Sequence, residues 1–161
     1  MREIIIEPAI LEKATLRSGG QKLNAFSFTS TGKLYGILAE ELFLAEHGGS
    51  LENTKHFDIE INGLKLDVKA KSCKGPPLPN YTASVSDYQK GHKSDGYIFY
   101  RISKELDLAW ELGGMLKEEF YERAVFVPVG TRDGPFLCKV DMWSLPISEL
   151  YSIETIIKGK V

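Results

Sequence analysis

Residues 57–72 read FDIEINGLKLDVKAKS, and the fold turns on how this stretch is read. Asn62-Gly63 at its centre is a two-residue hairpin signal, because both turn positions need positive φ and Asn and Gly tolerate it best. A two-residue loop fixes the register: Ile61 faces Leu64, Glu60 faces Lys65, Ile59 faces Leu66 and Asp58 faces Asp67. Side chains alternate along a strand. Phe57, Ile59, Ile61, Leu64, Leu66 and Val68 therefore make an apolar face, and Asp58, Glu60, Lys65, Asp67, Lys69 and Lys71 a charged one. Counted from the turn, Asp58 and Asp67 form a non-hydrogen-bonded pair, the class with the closer side chains. Two carboxylates about 5 Å apart repel by roughly 3 kcal/mol at an effective dielectric of about 20, and like charges facing across strands destabilise a sheet. A divalent cation removes that cost, since hard ions are held by carboxylates together with phosphate and water. The competing reading is an ordinary amphipathic hairpin with its charged face in water.

Outward from the hairpin, KLYGILAEELFLAEHGG (33–49) is the strongest helix signal. It is built of good helix formers, is apolar over most of its circumference and stops at Gly48-Gly49. Upstream, EIIIEPAILEKATL reads as an edge strand or arm, and RSGGQKLNAFSFTSTGK as loop around a short strand near AFSF. Downstream, SCKGPPLPNYTAS is a loop by its three prolines, and SVSDYQKGHKS a short helix or turn. DGYIFYRI and LDLAWELGG read as strands, and LKEEFYERA as a short amphipathic helix. VFVPVG and GPFLCKVDMW read as a final strand pair across a TRDG turn, with LPISELYSIETI packing back onto the body. This order predicts one α/β or α+β domain over residues 1–161, a central mixed sheet flanked by helices.

At 161 residues the chain suits one domain with one real core. Its net charge of -2 argues against a histone-like or tail-type nucleic-acid binder but leaves room for a local basic groove. Cys73 and Cys138 are too few and too widely spaced for a disulfide framework or a zinc site and read as free thiols of a reducing compartment. No apolar run approaches the roughly 20 residues that span a bilayer, and MREIIIEPAI does not read as a signal peptide. The expectation is a cytoplasmic protein (host cytoplasm if phage-encoded) without membrane contact. His47, His56 and His92 show no metal-ligand spacing, although His56 would face Lys69 across the hairpin. There is no Walker-type phosphate loop, so no nucleotide cofactor is expected.

Asp58, nine residues on to Asp67, then Val68 and Lys69, in DIEINGLKLDVK, resembles the PD-(D/E)XK nuclease superfamily, its resolvase and phage-type members in particular. That pattern is an Asp on one strand and Asp/Glu-x-Lys on the next, with a carboxylate from a preceding helix; Phe57 stands where many members have Pro. In GILAEEL the family's spacing from Gly36 points to Glu40, whereas a helical wheel singles out Glu41 as the acidic residue on the apolar stripe among Leu34, Leu38 and Ala45. Gln89 in SDYQKGHKS matches the polar residue that many relatives place near the metal, and the later LGGMLKEEFYERAVFVPVG resembles the layout of some phage and bacterial members.

The resemblance implies a restriction-endonuclease-like core and a Mg2+-dependent DNA endonuclease, with Mn2+ as a substitute. Asp58 and Asp67 would hold the metal, with the Val68 carbonyl as an extra ligand. Glu40 would complete the site, Lys69 would orient or activate a water, and Gln89 would be accessory. Lys71, Lys74, Lys90 and Lys93 flank the site and could contact the DNA backbone, although solubility alone accounts for any one of them. Because two-strand cleavage usually needs two active sites, a homodimer is expected. A catalytically silent nuclease-fold module that binds DNA or a partner protein is the alternative, and a plain interaction domain a third.

Overall fold

The computed structural model describes residues 1–19, 28–52, 54–133 and 136–159. The elements run β1 (Arg2–Ile5), α1 (Pro8–Arg17), α2 (Phe28–His47), β2 (Ser50–Leu51), β3 (Ile59–Ile61), β4 (Leu64–Cys73) and β5 (Thr82–Ser86). They continue with a 3-10 turn (Asp87–Gly91), β6 (Gly96–Ser103), β7 (Leu108–Leu116), α3 (Lys117–Arg123) and β8 (Val125–Val127). The last are β9 (Arg132–Asp133), β10 (Phe136–Leu137), β11 (Met142–Pro146), a 3-10 turn (Ile147–Glu149) and α4 (Ile153–Ile157). This is a mixed α+β fold, as the order of the sequence signals predicts.

The main sheet has the order β1-β7-β6-β4-β3-β2. Its β4–β6 pair is parallel, and the other neighbours are antiparallel. The β3–β4 hairpin has the predicted register, Ile61–Leu64, Glu60–Lys65 and Ile59–Leu66, across a turn in which Asn62 and Gly63 both have positive φ (52° and 80°). The second sheet, β5-β11-β8, is antiparallel.

The apolar hairpin face does what its pattern requires. Ile59, Leu66 and Val68 are buried with Leu34, Leu38, Leu42 and Phe43 of α2 in the core on one side of the sheet. A second core on the other side joins Tyr97 and Phe99 of β6 to Ala83, Val85, Phe120 and Leu145. The charged hairpin face lies on this second side, beneath β5 and the 3-10 turn, and is not simply bathed in water: Asp67 is 5% exposed.

Four expectations change. The segment after Pro8 is a helix, not an arm: Pro8 sits in its first turn, where the missing N–H costs nothing, and Ile10, Leu11 and Ala14 pack on the α2 core. The short strand expected near 25–28 falls mainly outside the described residues, and Phe28 itself begins α2. SVSDYQKGHKS divides into β5 and a 3-10 turn. In the C-terminal region β8 pairs with β11, while Arg132–Asp133 of the expected TRDG turn is β9, paired with β10. The C-terminal segment packs back as expected, with Ile153 and Ile156 fully buried. Gly114 forms an antiparallel bridge with Tyr151.

Candidate active site

Asp58 lies just before β3, and here the ladder departs from regular pairing. Its N–H donates to the Leu66 carbonyl (3.0 Å). Its own side chain then accepts from the Val68 N–H (Oδ2, 2.8 Å). A carboxylate oxygen thus takes the place of a backbone acceptor on β4. Asp58 and Asp67 are not regular ladder partners, yet the Asp67 charge acts on the Asp58 carboxyl. Burial first, and then the Asp67 charge, push the Asp58 carboxyl up to about 6. Desolvation and a like charge both favour the protonated form, so the repulsion read from the sequence is present in the fold.

The other residues of the pattern gather around this pair. Lys69 Nζ lies 2.6 Å from Asp67 Oδ1, since i and i+2 on a strand share a face. Gln89, buried in the 3-10 turn, donates from Nε2 to Asp67 Oδ2 (3.3 Å). Glu40 on α2 is buried and senses the Asp58 charge; burial and that charge raise its pKa against the opposing pull of Arg17. Glu41 is buried as well. Burial works against its charge, but hydrogen bonds from Lys13 and Arg17 outweigh it and hold its pKa below the ordinary range. The contacts are Arg17 to Glu40 and to Glu41 at 2.6 Å each, and Lys13 to Glu41 at 2.7 Å. Of the two helix glutamates, Glu40 is therefore the one that senses Asp58; both pair with Arg17 of α1, and Glu41 pairs with Lys13 as well.

Sequence reasoning did not find Arg17, because its role depends on α1 docking against α2. The pattern Pro8, Ile10, Leu11, Ala14 was the available signal. It also left the histidines unconnected. The His56 and His92 rings meet edge-on with centroids 5.3 Å apart, and both Nδ1 atoms are shielded without a hydrogen-bond partner among the described residues. Burial, then His56, then Lys69 lower the His92 pKa. Tyr97, paired with Asp67 across β4–β6, bonds to Tyr121 (3.1 Å).

The flanking lysines separate. Lys74 and Lys93 are exposed, and Lys71 donates to Ser84 (2.9 Å). Lys90 sets its ammonium 4.7 Å from the centroid of the Trp143 ring and 5.1 Å from that of Tyr121. Those two cation–π contacts tie it to β11 of the second sheet and to α3.

A separate group, His47, Glu111 and Glu154, has ligand atoms within 4.8 Å of one another. Glu111 already accepts from His47 (2.8 Å), Arg2 (2.9 Å) and Tyr100 (3.3 Å), so a fixed cation stands in this cluster and it reads as an ion-pair network. Among the described residues no helix is long and apolar enough to cross a membrane. Comparison with known proteins returned no matching family model and no matching curated protein.

Proposed function

We propose that this protein is a Mg2+-dependent DNA endonuclease that hydrolyses phosphodiester bonds, Mn2+ substituting for Mg2+. The observation that carries the reading is the convergence of Asp58, Asp67 and Lys69, with Glu40 and Gln89 at its edges. An all-oxygen donor set of two neighbouring carboxylates, one of them pushed up to about 6, fits a hard divalent cation. Asp58 and Asp67 would hold the ion, with the Val68 carbonyl as a third ligand and Glu40 completing the acidic wall. The metal would polarise the phosphate and lower the pKa of a bound water.

The chain's own groups have distinct tasks in this reading. Gln89 orients Asp67 through its amide. Lys69, now on Asp67 Oδ1, exchanges that partner for the water or the phosphate oxygens and offsets the negative charge that builds in the transition state. Arg17 holds Glu40 in place through one oxygen. Lys71, Lys74 and Lys93 supply charge for a DNA backbone. Cutting both strands calls for two such sites and hence a homodimer.

The test is plasmid nicking in Mg2+ or Mn2+. Asp67→Asn and Lys69→Ala should each abolish it while circular dichroism stays native; full activity in either folded variant refutes the assignment. One observation favours the alternative of a silent nuclease-fold module: Lys69 and Arg17 already neutralise much of the acidic charge. DNA binding in Ca2+ with no nicking in Mg2+ or Mn2+ would select that module.

A further inference from the structure

The 3-10 turn Asp87–Gly91 has two sides. Gln89 is buried and holds Asp67, whereas Tyr88, one position earlier, is 68% exposed. An exposed ring standing alone on a surface is ordinary; this one does not stand alone. It meets the His92 ring edge-on with centroids 5.6 Å apart, and His92 meets His56 in the same way. The His92 N–H donates to the Gln89 carbonyl (2.9 Å), and Lys117 Nζ donates to the His92 carbonyl (2.5 Å), so the middle ring is tied down through its backbone.

The row of three rings is joined to the carboxylate site at both ends. Tyr88 adjoins the residue bonded to Asp67, and His56 stands two positions before Asp58. Each histidine also brings a lysine: Lys55 precedes His56 and Lys93 follows His92. Both lysines are exposed, and neither is in an ion pair among the described residues. An aromatic ring steadied by its neighbour, largely open to solvent and accompanied by unpaired ammonium groups, meets the needs of an unpaired polynucleotide strand. Its bases stack on aromatic faces whatever their identity, and its phosphates follow the cations.

We propose that Tyr88 is a stacking platform for an unpaired nucleobase, and that the strand entering the carboxylate site is single-stranded DNA or an unpaired stretch within a duplex. What happens to the phosphate rests on the nuclease reading; the stacking does not. In a regular duplex both faces of a base are covered by its neighbours in the stack, so Tyr88 gains little from paired DNA. Tyr88 and Gln89 divide the work of one turn: the first holds a base on the outside, and the second holds Asp67 within. Lys55 and Lys93 carry the charge of the adjoining phosphates.

A short single-stranded DNA of mixed sequence, an abasic strand of the same length and the matching duplex are titrated with the protein in Ca2+, read by fluorescence polarisation of an end label. The intact strand should bind more tightly than the abasic strand or the duplex. Tyr88→Ala should weaken the intact strand about 5- to 150-fold, the span of one base–aromatic stack, and leave the abasic strand unchanged. Tyr88→Phe should keep the affinity and Tyr88→Leu lose it, which separates a ring face from apolar bulk. Replacing Lys55 and Lys93 together by Gln should weaken intact and abasic strands alike and flatten the salt dependence. All these side chains are exposed, so the variants should fold, as circular dichroism would verify. No binding of the strand by wild type, equal affinity for strand and duplex, Tyr88→Ala with wild-type affinity, or an equal loss on the abasic strand would each overturn the platform. Failure of the nuclease reading would show separately, as absent nicking in a protein whose strand binding still depends on Tyr88.

Discussion

Replacing Asp58 by Asn tests the strained carboxylate pair directly. Asn is nearly isosteric, its amide oxygen can accept from the Val68 N–H as Asp58 Oδ2 does, and its NH2 can donate to Asp67. Raising a carboxyl from 3.8 to about 6 corresponds to about 3 kcal/mol lost on folding at neutral pH. Asp58 is partly exposed, so we expect a gain of about 1–2 kcal/mol. For a chain of this length that is a Tm increase of roughly 3–8 °C. The sign follows from linkage. The folded state binds this proton more tightly than the unfolded state, so the penalty grows as pH rises from about 4 through about 6 and is complete above that. The gain from Asp58→Asn should therefore be full at pH 7.5 and vanish towards pH 4, as calorimetric melts of both proteins across that range would show. Millimolar Mg2+ should also raise the wild-type Tm by a few degrees, since tenfold over its Kd gives about 1.4 kcal/mol, and do much less for the variant. A variant no more stable than wild type at pH 7.5, or a gain independent of pH, would refute the argument.

Glu40→Gln should cut nicking by orders of magnitude and Glu41→Gln mainly lower stability, by about 1–3 kcal/mol, because the latter weakens a buried carboxylate's bonds to Lys13 and Arg17; urea melts and nicking assays of the two variants separate these effects. Arg17→Met should lower stability by about 3–5 kcal/mol, since it removes a cation shared by two buried carboxylates, and the loss should shrink at acid pH, where Glu40, whose pKa is raised, takes up a proton. Gly113→Ala should cost more than about 2 kcal/mol in denaturant melts: φ there is +123°, and a Cβ would collide with the Tyr151 carbonyl oxygen.

The features legible in the sequence are those that local chemistry decides. Asn62-Gly63 sets the hairpin register through positive φ at two adjacent residues, and that register brings Asp58, Asp67 and Lys69 together. The helix up to Gly48 is equally local. What the sequence hid depends on contacts distant along the chain. Helix α1 is short, and its meaning lies in Arg17 reaching Glu40 and Glu41 across 23 and 24 positions. The spacing argument for Glu40 and the helical wheel for Glu41 each caught part of the arrangement, because both side chains are buried and only their partners distinguish them. In the C-terminal region, nearest-neighbour pairing misleads because the β9–β10 ribbon is inserted between β8 and β11. The irregularity at Asp58 was hidden for another reason: no strand pattern announces that a side chain will stand in for a carbonyl.

That substitution makes the hairpin its own assembly check. Asp58 completes the β3–β4 pairing and carries half of the acidic pair with the same carboxyl group. A nascent chain that paired one residue out of step would turn Asp67 towards the α2 core and leave the Val68 N–H without its acceptor. Misregistered chains would thus lose the acidic pair and a backbone hydrogen bond together. Pairing and site assembly would share one carboxyl group, so the candidate site could not form before the sheet is correctly laid down.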